Sequence, residues 1–178
     1  MPVTAAGNLS LAQECLRTTL ADATAFRTFA GAADRAAALL RIHHDVLPPP
    51  AAAAPAYTLA EWAAHRPYAI VAGEQTGGYS VRHATGGASF GFEESGHLWL
   101  LLGAAPDSDY TADADQDAAF RNAVGEIIGG LMDLAGLAGY LAIETIAVAA
   151  IGRNLPDDAP GCGEEMLCIL GITWGTAQ

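Results

Sequence analysis

The stretch HLWLLLGA, residues 97–104, decides the fold. It is apolar at odd and even positions alike, so a strand made of it must be covered on both faces, by helices or by a neighbouring subunit. The runs before it have a period of two: YAIVAG (68–73), YSVRHA (79–84) and ASFGFEE (88–94), set apart by polar or glycine-rich turns such as Thr85-Gly86-Gly87. Short β-type runs separated by such turns predict antiparallel hairpins, with 97–104 as the central strand.

Downstream, YLAIETIAVAAIG (140–152) alternates Leu141, Ile143, Thr145, Ala147 and Ala149 against Ala142, Glu144, Ile146 and Val148, which predicts a strand with two mostly apolar faces. In MLCILGITWG (166–175), Met166, Cys168, Leu170, Ile172 and Trp174 share one face, and the polar stretch 153–165 reads as the connection of a terminal hairpin.

The helices lie on either side of this region. Leu9, Ala12, Leu16, Thr19 and Leu20 recur at helical spacing and predict a first helix over about 9–22, capped by Ser10 or Asn8. An alanine-rich second helix over 32–44 follows, with Ala36, Leu39, Leu40 and His43 on one side. It stops before LPPPAAAAPA (47–56), which cannot stay helical. TLAE (58–61) spells a capping box opening a short helix that carries Trp62 and ends at Pro67. Phe120, Val124, Ile127, Leu131 and Leu134 step by four and three along a helix over about 116–135. Strands grouped apart from helices argue α+β: a mostly antiparallel sheet of about four to six strands on two or three helices, in one domain over 1–178 with a Pro/Ala-rich connection at 47–56.

Composition narrows the function. A chain of 178 residues that is 52% hydrophobic has enough apolar side chain for a sizeable core. Eight arginines, no lysine and twenty acidic residues give a net charge of −12, which disfavours a surface that grips nucleic acid or an anionic membrane. The opening MPVTAAGNLSLAQECL lacks a basic segment and an apolar run, so no secretory signal is predicted. Glu126, Asp133 and Glu144 interrupt the apolar stretch 123–151, so no membrane span is predicted either. Cys15, Cys162 and Cys168 form no CxxC pair and read as reduced thiols.

DSDYTADADQDAAF (107–120) places Asp107, Asp109, Asp113, Asp115 and Asp117 just ahead of the 116–135 helix. A calcium loop starting at Asp113 needs glycine at its sixth position and glutamate at its twelfth, and finds Ala118 and Val124. Carboxylates at a helix start instead meet unpaired N–H groups, with Asp115 or Asp117 as the N-cap. Gly125, Gly129 and Gly130 inside this helix each cost up to about 1 kcal/mol relative to alanine, which points to close backbone approach, to the sheet or to another subunit.

Catalytic motifs are missing. GxSxG, GxxxxGK[ST], HExxH and an intact GxGxxG are absent, and no metal or cofactor site is predicted. His43-His44-Asp45 offers a metal edge or base only if neighbouring histidines on a helix converge, which they do not. Acidic neighbours of Cys162 suppress its thiolate. His83 and His97 read as strand residues, and Trp62, Trp99 and Trp174 as core or interface anchors.

Taken together, RPYAIVAGE (66–74), LADATAFRTFAG (20–31) after the leading helix, and the closing LCILGITWG (167–175) resemble the tail-terminator, or tail-completion, proteins of long-tailed bacteriophages and prophages. The resemblance runs from about Leu9 to Trp174 and rests on element order; the proline-rich insert and the helix at 58–64 exceed the family's pattern. It implies a non-enzymatic virion protein of the tail or neck, made in the host cytoplasm. Copies of it close into a ring, commonly six, that caps the tail tube and meets the head connector while DNA slides through the lumen. The five aspartates are then candidates for the lumen or rim, and Gly125, Gly129 and Gly130 for a close-packed interface. Another head-tail connector component, or a small cytosolic ligand-binding or enzymatic domain, are the alternative classes.

Overall fold

The structure, a computed structural model, describes residues 5–50, 57–73, 79–84, 91–106, 112–134, 136–138, 141–154 and 165–176. In chain order the elements are α1 (Ala5–Asp22), α2 (Thr24–Phe29), α3 (Arg35–Leu39), β1 (Ile42–His44), α4 (Leu59–His65), β2 (Tyr68–Gly73), β3 (Ser80–Ala84), β4 (Gly91–Ala104), α5 (Asp113–Asp133), β5 (Gly136–Ala138), β6 (Leu141–Asn154) and β7 (Glu165–Thr176). They form an α+β fold. Seven strands make one sheet in the order β1-β2-β4-β7-β6-β5, with β3 also pairing β4.

β4 is central, as its two-faced sequence requires. It pairs antiparallel with β7 from Ser95↔Gly175 to Ala104↔Met166, and on its other side with β3 and then β2. Of the expected separate strands at 88–94 and 97–104, the described residues Gly91–Ala104 form one continuous strand through Gly96; residues 88–90 lie outside the described residues. A Cβ added at Gly96 would stand 2.8 Å from the Trp174 ring, so Gly96 is the gap in the strand that lets the indole pack flat on the sheet.

Side-chain alternation then divides the sheet. Leu98, Leu100 and Leu102 of β4 and Cys168, Leu170, Ile172 and Trp174 of β7 point to one face and are fully buried there, under α1, α2 and α5. Ala12, Leu16 and Leu20 meet them from α1, and Val124, Ile127 and Leu131 from α5. A side chain of leucine size buried this way contributes roughly 1.5–3 kcal/mol. Phe29 ties the helices together, its ring 6.1 Å from Phe26 and 6.2 Å from Phe120.

Three helices differ at their boundaries from the sequence reading. The 32–44 helix ends at Leu39, and Ile42–His44 instead pairs parallel with Ala69–Val71 as an edge strand. Tertiary pairing overrides the alanine-rich propensity there, and among the described residues three short helices with α1 and α5 make five, where the sequence reading has two or three. α1 begins at Ala5, so neither Asn8 nor Ser10 caps it. The last long helix begins at Asp113, its N-cap is Ala112 without a side-chain cap bond, and Leu134 ends the stripe exposed. The capping box at 58–61 forms as read: Thr58 accepts from Glu61 N and Glu61 accepts from Thr58 N.

Candidate functional site

Among the described residues, α1, α2 and α5 cover one face of the sheet, and only α4 reaches the other, at one corner. On the other face, Ile70 and Ala72 of β2, Trp99 and Leu101 of β4, Ile169 of β7 and Ala149 and Ala150 of β6 line an open, almost wholly apolar groove of about 610 Å³, with Asp45 at its rim. Strand alternation places these side chains: Ile70 lies opposite Leu101, Ala72 opposite Trp99 and Trp99 opposite Gly171, so each set points away from the helices. The Trp99 ring lies over Gly171, where an added Cβ would be 3.2 Å from it, yet the residue stays 37% exposed. An apolar sheet face that the described residues leave open, with an aromatic at its middle, is the composition of a contact surface rather than of ordinary solvent-facing sheet.

One corner of this face is closed. Tyr68 lies over Gly103, its ring meeting any Cβ added there, and Trp62 of α4 packs on Tyr68 at 6.1 Å with Tyr57 and Arg66 against Trp62. Beneath them Glu165 is buried. Burial raises its carboxyl above the usual range, and the Tyr68 hydroxyl and Arg66 pull the other way. The Tyr68 phenol is pushed up, first by that burial and then by the Glu165 charge.

At the rim, Asp45 takes the left-handed conformation with φ 58°, which aspartate tolerates. It ends β1 by accepting from Gln13 Nε2 at 3.1 Å and Gly73 N at 3.4 Å. His43 and His44 are therefore on a strand and face opposite ways. His43 turns to His65 with ring centroids 6.2 Å apart, while His44 Nε2 meets Glu14 Oε2 of α1 at 3.0 Å. Nearby Arg41 donates to the Ala64 and His65 carbonyls, so the polar groups of this corner serve to hold α3, β1 and α4 together.

The acidic comb divides as well. Asp107 and Asp109 lie outside the described residues. Asp113 and Asp117, one helical turn apart, converge on Arg153 of β6: Nη1 to Asp113 Oδ1 at 2.9 Å, Nε to Asp117 Oδ1 at 2.8 Å, and Nη2 to Gln116 Oε1 at 2.8 Å. Asp115 stands in the first turn of α5 and is exposed. The sequence reading missed Arg153 as the partner of these carboxylates, although it is one of only eight cations in the chain.

The helix glycines also separate. A Cβ added at Gly130 would stand 3.6 Å from Ala23 Cβ and 3.8 Å from Ala25 Cβ, so α2 packs close against it. Gly125 and Gly129 are exposed, with no described atom within 4 Å of an added Cβ, so a helix lying tight on the sheet does not account for them. Cys15 and Cys168 are free and buried, and burial raises both thiols, Cys168 to about 11. Cys162 lies outside the described residues, and so does the connection beyond Pro50. Trp174 is core, Trp62 is the corner anchor, and Trp99 alone of the tryptophans looks outward.

No helix among the described residues is long and apolar enough to cross a membrane. No protein-family description matches the chain and no curated protein matches it significantly. The chain is similar to a chain in the solved structure of the virion of the native gene transfer agent particle, with 10% identity over 93% of this chain and 94% of that one and a TM-score of 0.46. At that level of likeness neither fold nor role passes from that particle to this chain.

Proposed function

We propose that the chain is a structural subunit of a tailed-phage-type particle and acts as its tail terminator. Copies close into a ring, six in number, that caps the tail tube and joins it to the head connector, with DNA passing through the lumen unbound. The observation that carries this reading is the open apolar face around Trp99. A subunit that buries one side of its sheet under helices and leaves the other apolar is built to be covered by protein. Burying such a face against neighbouring copies is what a closed ring provides.

The electrostatics support the same reading. A net charge of −12 repels a sliding polyanion, and a lumen wall must not hold DNA. Asp113 keeps a side chain 83% exposed even while paired with Arg153, so the start of α5 presents negative charge to a channel or rim. Bare backbone at Gly125 and Gly129 on the outward side of α5 admits close approach by a neighbour. On this reading the protein works by shape and charge and carries out no chemistry of its own.

The test is Ala72→Asp, which sets a carboxylate beside Trp99 in the middle of the face while leaving the helix-covered core intact. The wild-type chain incubated with tail tubes should give rings at the head-facing end in electron micrographs, and the variant should remain unassembled with unchanged circular dichroism. Rings formed equally by both would exclude the face as the contact. Attachment elsewhere in the neck would replace the terminator role by that of another connector component.

A further inference from the structure

Leu40 is the most exposed large apolar side chain among the described residues, at 79%. The sequence groups it with Ala36, Leu39 and His43 on one side of a helix, but α3 ends at Leu39 and β1 begins at Ile42, which leaves Leu40 outside both. Its surroundings carry positive charge. RAAALLRIHH (35–44) holds two of the eight arginines, two of the five histidines and no acid. Arg41, next to Leu40, donates to the Ala64 and His65 carbonyls, neutral partners that leave its charge in place.

Elsewhere on the chain lies a hole of matching character. A pocket of about 290 Å³ opens where the end of β4 and the start of β7 meet α2 and α5, lined by Phe29, Pro67, Ala105, Ala119, Phe120 and Met166 among others. It stands at the lower limit of the roughly 300–1,000 Å³ clefts that take small molecules, and suits a single apolar side chain. Its lip is negative. Asp115 is exposed and lies one helical turn before Ala119 on the same side of α5, and the Asp113 side chain beside it is 83% exposed.

We infer that Leu40 of one copy seats in this pocket of the next copy, head to tail, with Arg41 facing Asp115 at the lip. Leu40 does not fill the pocket of its own chain, since β2 lies between β1 and β4 and the side chain stands in solvent. Charge selects it among the exposed apolar side chains. Val46 adjoins Asp45, and Met132 and Leu134 adjoin Asp133, so each would bring a carboxylate to an acidic lip, while Trp99 and Val148 have no arginine beside them. A knob and a hole at different places on one chain make a heterologous contact, which repeats from copy to copy and closes where the rotation allows. The contact rests on the ring reading only for that closure, and it uses a surface separate from the outer sheet face.

The test is cross-linking of full chains, in a Cys162→Ser background, with and without tail tubes. A Leu40→Cys chain mixed with an Ala119→Cys chain and mildly oxidised should give a disulfide-linked pair of about 36 kDa, twice 18.2 kDa, that neither chain gives alone. A chain carrying both changes should give a ladder of higher multiples. Leu40→Asp, at an exposed site that leaves circular dichroism unchanged, should weaken association about tenfold or more. A mixture that yields no linked pair under either condition overturns the inference, and so does Leu40→Cys linking chiefly to itself. Rings on tail tubes that Leu40→Asp leaves intact overturn it while the ring reading stands. A ladder without rings upholds the contact and removes the ring.

Discussion

Gly96→Ala tests the packing that makes one strand of what the sequence divides in two. The new methyl carbon would sit 2.8 Å from Cε2 and Cζ2 of Trp174 and 2.9 Å from its Nε1, against about 3.5–4.0 Å for relaxed carbon contacts. The ring must therefore recede by about 1 Å, and it is fully buried against the core, so the cost is that of an overpacked core, about 2 kcal/mol. For a domain of this size that lowers Tm by about 4–8 °C. Urea unfolding followed by tryptophan fluorescence should show a lower midpoint at unchanged slope. The deeper check is a double-mutant cycle with Trp174→Phe, which removes the colliding atoms together with an indole N–H that has no hydrogen-bond partner among the described residues. The two changes together should destabilise less than their sum by about 1 kcal/mol. A Gly96→Ala chain within 0.5 kcal/mol of wild type, on the order of an ordinary surface change, or strictly additive costs, would refute the close approach of strand and ring.

Three further outcomes follow from other contacts. Asp117→Asn should lower Tm more than Asp113→Asn and speed amide exchange in the first turn of α5, because the Asp117 side chain is 31% exposed and the Asp113 side chain 83%; equal effects would contradict the clamp on Arg153. Glu165 has a folded pKa above its ordinary value of 4.5, chiefly through burial, so the native state binds its proton more tightly than the unfolded chain does. Stability should be greatest below pH 4.5 for this group and fall as pH rises toward its folded pKa, and Glu165→Gln should flatten that fall and stabilise the protein at pH 7; an unchanged pH profile by thermal melting would refute it. Thr58→Ala should cost about 1 kcal/mol by removing the N-cap of α4, read as lost protection of residues 61–65 by amide exchange.

How much of this was legible beforehand depended on whether local pattern and tertiary packing agreed. The two-faced character of 97–104, the inward set from Met166 to Trp174 and the capping box at 58–61 are local patterns, and each has the structure its residues specify. The open outer face was legible only as a requirement for cover, since nothing local tells whether helix or neighbour supplies it. The runs 88–94 and 97–104 read as two because a glycine between them that opens a turn and one that admits a ring look alike in one dimension. Ile42–His44 read as helix because its strand partner, Ala69–Val71, lies 27 residues further along the chain. The acidic comb read as helix caps because its partner, Arg153, is 36 and 40 residues distant. Bulges at Glu144 and Ala149 interrupt the alternation of β6 and are set by its pairing with β7, so the simple two-face reading of that strand could not include them.

The account rests on the outer sheet face being covered by other copies of the chain, and native mass spectrometry in the presence of tail tubes measures this most directly. The predicted result is a closed species of about 109 kDa, six times the 18.2 kDa chain, that Ala72→Asp abolishes. A chain that remains a stable monomer on the tubes, with Trp99 fluorescence and solvent accessibility unchanged, would contradict it.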